Sequence, residues 1–467
     1  MKYNRQTQKD KDMNEKKEFY SKAIKMTLPI VVQNLLSATI SSMDVLMLNY
    51  VNQSAISAVS LAANYTSILF MIYYGLGTGV TMLASQYNGK GDMKAISIVE
   101  GIAMRFSVVV SVLFALAAVF APELMMKVFT NDPELIEIGA SYLKVVSISY
   151  LVWSVSEVYM ATLRSIERVT ICTVINLVAF VCNIFFNAMF IFGLFGAPKL
   201  GAEGVAWGTT ISRVIALIGC IIVSIRSKDA KMKLSYLFMS NKVLMHDFLH
   251  MALPALLNDI AWGLAFSLYS AIIGRLGNDA VAAYSFVNVV RNFGTILCFA
   301  VGSASGIILG NEMGEGKLER AKVTAHRLMV MTLISAAIGS VMIFCLIPIM
   351  MKYASLSELA MHYLKYMMLI NTYYVFGTAV NTTLIAGVFR AGGDSKFGLI
   401  CDTIDMWVYA LPMGFISAFV FKLPVMWVYF ILCTDEFVKW PWVLKNYFSG
   451  KWIKNITRDD LYDTSVM

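Results

Sequence analysis

Asp44, Glu157, Asp259, Asp402 and Asp405 each interrupt a long apolar stretch of this chain. A carboxylate near the centre of a membrane helix costs roughly 2.5–3.5 kcal/mol on insertion scales, so it tends to be kept for a purpose. The chemistry open to it is cation or proton binding, or recognition of a cationic compound. Asp44 is the clearest case, about six residues (~9 Å at helical rise) from the outer end of the first apolar stretch. The competing reading is an aspartate held by helix–helix hydrogen bonds. Asp259 lies near the middle of the seventh stretch and carries the same two readings. Asp402 stands a turn or two inside one end of its stretch, which suits anchoring or gating better than substrate contact. Arg213 and Arg291 are read as offsets to buried acids, since they would repel a cationic substrate.

Two motif-like strings carry no chemistry. His246-Asp247-Phe248-Leu249-His250 resembles a zinc-protease motif with Asp in place of the catalytic Glu, but no third ligand is evident. Gly75-x-Gly77-x-Gly79 follows no strand and precedes no Lys-Ser/Thr, so it is not a phosphate loop. Small residues at that spacing instead let helices approach closely. Without a phosphate loop, ATP-driven transport by this chain is disfavoured. The seven cysteines lie in apolar segments and form no CxxC pair, so they read as small buried hydrophobes.

The elements that must position these groups follow from composition. Hydrophobic residues make up 58% of the chain and charged residues 15%, against about 25% charged in a soluble domain. With ~20 apolar residues per spanning helix, twelve spans are predicted: 26–50, 54–84, 95–121, 136–160, 170–194, 202–225, 248–274, 280–310, 322–350, 357–388, 397–420 and 424–446. The polar stretch before Met26 lacks a signal-peptide core, so the first span is expected to stay in the protein. The net charge of +8 is a topology signal. Eight Lys and Arg residues fall in the first 25 positions, and the rest recur in alternate connections. Both termini are therefore expected in the cytoplasm. No basic face with interleaved aromatics points to nucleic acid.

The chain matches itself at a single constant offset. Leu28-Pro29 repeats as Leu253-Pro254, Gly89-Lys90-Gly91 as Gly314-Glu315-Gly316, and Met125-Met126-Lys127 as Met350-Met351-Lys352. After a small insertion, Arg164 stands opposite Arg390, and Asn34 is the repeat partner of Asp259. The expected fold is an all-α integral membrane protein, twelve transmembrane helices in two six-helix lobes related by a pseudo-twofold axis. The expected organisation is a tail at 1–25, an N-lobe at 26–225, a linker at 226–247, a C-lobe at 248–446 and a tail at 447–467. Such transporters place the substrate cavity at the repeat interface near the midplane.

An ordered set of residues resembles the multidrug and toxic compound extrusion (MATE) family over essentially the whole chain after residue 25. It includes Met43-Asp44-Val45, Gln86-Tyr87-Asn88-Gly89-Lys90-Gly91-Asp92, Asn183 and Asn187, and Gly204-Val205-Ala206-Trp207-Gly208. In the second half come Asn258-Asp259, Arg390-Ala391-Gly392-Gly393-Asp394, Asp402, Glu436 and Lys439. The resemblance implies a multidrug efflux antiporter in a multi-pass cell membrane location. It would export amphipathic, often cationic small molecules in exchange for Na⁺ or H⁺, as a monomer, with no enzymatic activity and no cofactor besides the coupling ion. It also implies that Asp44 with Asn183 and Asn187 forms the cation or proton site, the same three residues being the metal ligands if the ion is Na⁺. Asp259 is a shorter version of the family's usual Glu, and the tenth span lacks the acid that some sodium-coupled relatives carry. Flexible Met and aromatic side chains suit promiscuous recognition, and Tyr65, Trp153, Trp262, Tyr269 and Tyr284 are the candidates for substrate contact. The alternative is a flippase of lipid-linked oligosaccharide precursors, which would be expected to line its cavity with several cationic residues.

Overall fold

The computed structural model describes residues 2–459 apart from 228, 230, 233, 238, 240 and 355, together with Leu461. The side chains of residues 2–12, including the tail's Lys2, Arg5 and Lys9, and of Ser41, Val45, Leu234 and Leu237 lie outside that description. Among the described residues every regular element is helical, with no strand.

The first half runs through α1 (Lys2–Leu48), α2 (Gln53–Lys90), α3 (Met93–Phe120), the short α4 (Pro122–Lys127), α5 (Pro133–Ser165), α6 (Val169–Phe192) and α7 (Ala202–Arg226). A single turn, α8 (Leu234–Leu237), falls in the connection. The second half runs through α9 (Lys242–Gly274), α10 (Asn278–Gly314), α11 (Leu318–Tyr353) and α12 (Glu358–Asn381). Its last two passes are segmented. One comprises α13 (Ser395–Thr403) and α14 (Leu411–Phe415) with π-helical turns at 404–410 and 416–420; the other comprises α15 (Val425–Leu432), α16 (Asp435–Val438) and α17 (Trp440–Ser449). A further π-helical turn at 382–389 extends α12. Among the described residues, ten helices are long and apolar enough to cross a bilayer by themselves; α12 with its π extension and the broken final pass bring the layout to the twelve expected.

Local sequence sets the ends. Asn52 accepts a hydrogen bond from the Ala55 N–H at 2.6 Å, and Asp92 accepts one from Ala95 N–H at 3.0 Å, each satisfying an orphan donor of a first turn. Gly91 at φ 81° closes α2 in the left-handed conformation that suits glycine.

The internal repeat is visible in these boundaries. Gln53 and Asn278 both begin helices, as do Met93 and Leu318, in each case at the offset of the sequence repeat. Gly91 and Gly316, related by the same offset, both have positive φ. Exposed aliphatic and aromatic side chains such as Leu113, Val181, Phe344 and Val408 recur along the spans. Apolar surface on this scale calls for lipid as its solvent.

The chain divides into two compact units, one of Val32–Leu256 with Thr457–Met467, the other of Leu257–Ile456 with Met1–Val31. The divisions inside α1 and α9 fall after Val31 and Leu256, again at the repeat offset and just past Pro29 and Pro254.

Candidate functional site

In the first unit, α1, α6 and α7 bring together groups that lie far apart in the sequence. Asp44 lies four residues before the end of α1 at Leu48, where the sequence suggested six. Asn183 and Asn187 stand one turn apart on α6 and are fully buried. Asn187 Nδ2 donates to Asp44 Oδ1 at 2.6 Å and to Asn183 Oδ1 at 3.3 Å. Asn183 Nδ2 in turn donates to Thr209 Oγ1 of α7 at 3.4 Å.

One oxygen of this hydrogen-bonded series is orphaned: Asn187 Oδ1 is buried without a hydrogen-bond partner. It lies against the backbone of Gly208, where a Cβ would come within 2.0 Å. The donor set is a carboxylate, two amide oxygens and a hydroxyl, all hard oxygen ligands that suit Na⁺, and the carboxylate alone suits H⁺. No group of three or more His, Cys, Asp or Glu arranged for a metal ion occurs among the described residues.

Beside this site Arg213 donates to Ser149 Oγ at 2.7 Å and stacks on Trp153, its guanidinium carbon 3.8 Å from the ring centroid. Tyr65 donates its hydroxyl proton to the Phe114 carbonyl at 2.9 Å. Glu157 pairs with Arg164 at 3.1 Å.

The second unit distributes the remaining candidates differently. Asp259 forms an ion pair with Arg390 at 2.7 Å, with the arginine side chain 5% exposed. Trp262 packs on Phe266, and Phe266 on Tyr269, while Tyr284 meets the edge of Tyr429. The sequence reading missed a buried cluster. Lys439 reaches Asp402 at 3.0 Å, Glu436 at 3.1 Å and Asp405 at 3.6 Å. Asn258 donates to Asp402 at 3.1 Å, Asn381 to Glu436 Oε2 at 2.6 Å, and Tyr269 to Asp435 at 3.1 Å. The available signal was a lysine three and four residues after two acids inside an apolar stretch. Asp402, read from its position as suited to anchoring or gating, is thus held by Lys439 and Asn258.

The reading of Arg291 as an offset to buried acids needs correction: no carboxylate lies within ion-pair distance of it among the described residues, and it rests on aromatic rings. Arg213 does act electrostatically on Asp44, though not at ion-pair distance. The close-approach reading of the glycine string holds: a Cβ at Gly75 would meet Leu256 of α9 at 2.6–2.9 Å, and one at Gly79 would meet Ala252 at 2.5 Å. His246 and His250 stack 6.0 Å apart, and Asp247 between them pairs with Arg458.

Two repeated halves of membrane-spanning helices, with a carboxylate–amide series buried in one of them, are the layout of a membrane transporter. A family model, MatE, matches residues 29–189 and 254–416, and the chain belongs to the MATE family. It is 23% identical over 431 residues to the uncharacterized transporter YisQ of Bacillus subtilis, covering 92% of this chain and 94% of that one. It is 21% identical over 448 residues to the probable multidrug resistance protein NorM of Thermotoga maritima, covering 95% of each. Among solved structures, the MATE transporter VcmN of Vibrio cholerae in its bent form superimposes with a TM-score of 0.84 at 15% identity, covering 94% of this chain and all of that one. A MOP superfamily transporter of Pyrococcus furiosus gives 0.78 at 16% identity, covering 92% and 96%.

Proposed function

We propose that this protein is a secondary active multidrug efflux antiporter of the cell membrane, its termini cytoplasmic, exporting amphipathic and often cationic compounds in exchange for Na⁺ or H⁺. The observation that carries the reading is Asp44, an ionisable group on an apolar membrane helix, hydrogen-bonded to the Asn187–Asn183 pair. In this mechanism the ion enters from outside and neutralises Asp44. A proton does so directly and weakens the hold of Asn187 Nδ2. Sodium does so by drawing the amide oxygens toward the carboxylate, which turns the Asn187 amide away from its present bond. Either event changes what Asn187 presents to Gly208, so α6 and α7 repack and drug affinity falls. The unloaded site favours the inward-facing state, and the membrane potential contributes ~2.3 kcal/mol per 100 mV for each charge moved.

Asp259 is assigned a supporting part in the second unit, releasing or re-forming its pair with Arg390 as substrate or ion arrives. The test is ethidium efflux from cells expressing the wild type or Asp44→Asn under imposed Na⁺ or H⁺ gradients. Gradient-driven efflux by the wild type that the mutant lacks is the expected result, and it names the ion. Efflux by Asp44→Asn with unchanged ion dependence would remove Asp44 from the coupling role.

A further inference from the structure

In the first unit, where α6 begins and α7 ends, an open cleft of about 420 Å³ is lined by Arg168, Ile171, Ile222, Arg226, Ser227 and Asp229. That size falls within the ~300–1,000 Å³ of small-molecule sites. Two guanidiniums border it. Arg168, the residue before α6, donates to Ser227 Oγ at 2.9 Å and to Asp229 Oδ2 at 3.1 Å. The Asp229 side chain is 65% exposed, and a pair so solvated holds its partners weakly. Arg226, the last residue of α7, is exposed and has no hydrogen-bond or ion-pair partner among the described residues. With two arginines against one aspartate, the lining carries a net positive charge.

The first turn of α6 has no side-chain cap, so the positive end of its helix dipole adds to the arginines. From the cleft, apolar stripes run along both helices. Val174, Val178 and Val181 on α6 and Ile218, Ile222 and Ile225 on α7 are all exposed, each set at the i, i+4, i+7 spacing that keeps to one helix face. Ile171, one turn before Val174, and Ile222 carry the stripes into the lining of the cleft. Both helices are long and apolar enough to span a bilayer, so the stripes meet acyl chains and the arginines stand at the level of the headgroups. Basic pockets between membrane helices at that level suit anionic lipid headgroups, and the planar arginine fork matches phosphate oxygens.

We propose that this cleft binds the phosphate of an anionic membrane lipid, whose acyl chains lie on the aliphatic stripes of α6 and α7. A free phosphate ion would meet the same arginines but would make no use of the stripes. The site is separate from the Asp44–Asn187–Asn183 series and needs no transport activity to be filled.

The test uses the full-length protein in detergent, with native mass spectrometry reading bound phosphatidylglycerol against phosphatidylcholine of the same acyl chains. The wild type is expected to retain phosphatidylglycerol in preference. Arg226→Gln breaks no hydrogen bond or ion pair among the described residues, so the fold is kept. It is expected to weaken phosphatidylglycerol about fivefold, the effect of one cation near an anionic headgroup, and to leave phosphatidylcholine unchanged. Asp229→Asn, which removes the competing carboxylate, is expected to tighten phosphatidylglycerol. Lys396→Gln, which removes an exposed cation of the second unit, is expected to have no effect. The proposal is overturned if the wild type holds the two lipids equally, if Arg226→Gln keeps the wild-type preference, or if Lys396→Gln lowers it as much. Displacement of phosphatidylglycerol by excess inorganic phosphate would also overturn it, since the site would then be one for the free ion.

Discussion

At the scale of single residues, the buried charges divide into those that are held and those left available. Asp44 has one short hydrogen bond from Asn187 and no arginine or lysine within ion-pair distance among the described residues, which suits a group that must exchange its counter-ion. Asp402, Asp405, Asp435 and Glu436 are all buried, and Lys439 is the cation at their centre, its side chain 3% exposed. Removing one partner of such a buried set strands the other and costs about 3–5 kcal/mol. Lys439→Met is therefore expected to lower the thermal stability of the detergent-solubilised protein severely. Pairing it with Asp402→Asn should recover part of the loss, because one of the stranded charges is removed as well. Equal stability of the single mutant and the wild type would show that the cluster is not organised around the lysine.

At the scale of elements, glycine serves two different needs, and substitution separates them. Gly75 is required by contact, since α9 passes so close to α2 that a Cβ would meet Leu256 within 2.9 Å. Gly91 has open space around it but a φ of 81°, so its requirement is conformational. Gly91→Ala is expected to cost about 1 kcal/mol from the left-handed backbone alone. Gly75→Leu is expected to cost about 1–3 kcal/mol or more by overpacking and to reduce the amount of folded protein. Thermal unfolding of the two variants side by side checks the ranking. The segmented last passes contrast with the long α2, α3, α10 and α11. The π-helical turns of the second half include Asp405 and begin directly after Asn381, and such turns gather at functional positions in other helices.

At the scale of the whole molecule, the chain passes from one compact unit to the other three times: within α1, within α9 and after Ile456. The last passage ends in a docked segment. Arg458 forms a two-pronged ion pair with Asp247 at 2.6 and 2.8 Å. Its backbone N–H donates to the Tyr87 hydroxyl at 3.3 Å, and the Leu461 carbonyl accepts from Asn241 Nδ2 at 3.3 Å. Arg458 is partly exposed, so solvent screening limits the pair to about 1 kcal/mol. Arg458→Ala is accordingly expected to speed amide exchange about fivefold at residues 457–459 and at the start of α9. Exchange in α5 and α10 should be unchanged. Unaltered exchange at 457–459 would mean that the other contacts suffice to hold the segment.

The sequence by itself determined that this is a membrane protein of twelve spans in two repeats, because lipid imposes length and composition on every span and the repeat preserves its register residue by residue. It also marked Asp44, since a carboxylate in an apolar stretch is conspicuous without any knowledge of its neighbours. Asn183 and Asn187 were legible only through family likeness, as two amides one turn apart carry no signal of their own. The long-range partners of the charges were decided by tertiary structure alone. Asp259 meets Arg390 across 131 positions, Asp402 meets Asn258 across 144, and Arg458 meets Asp247 across 211. A charge's sign is written in the sequence, whereas its counter-ion depends on which helix faces pack together. For the same reason Arg291 read as an offset to buried acids until the packing of its helix set it among tyrosines.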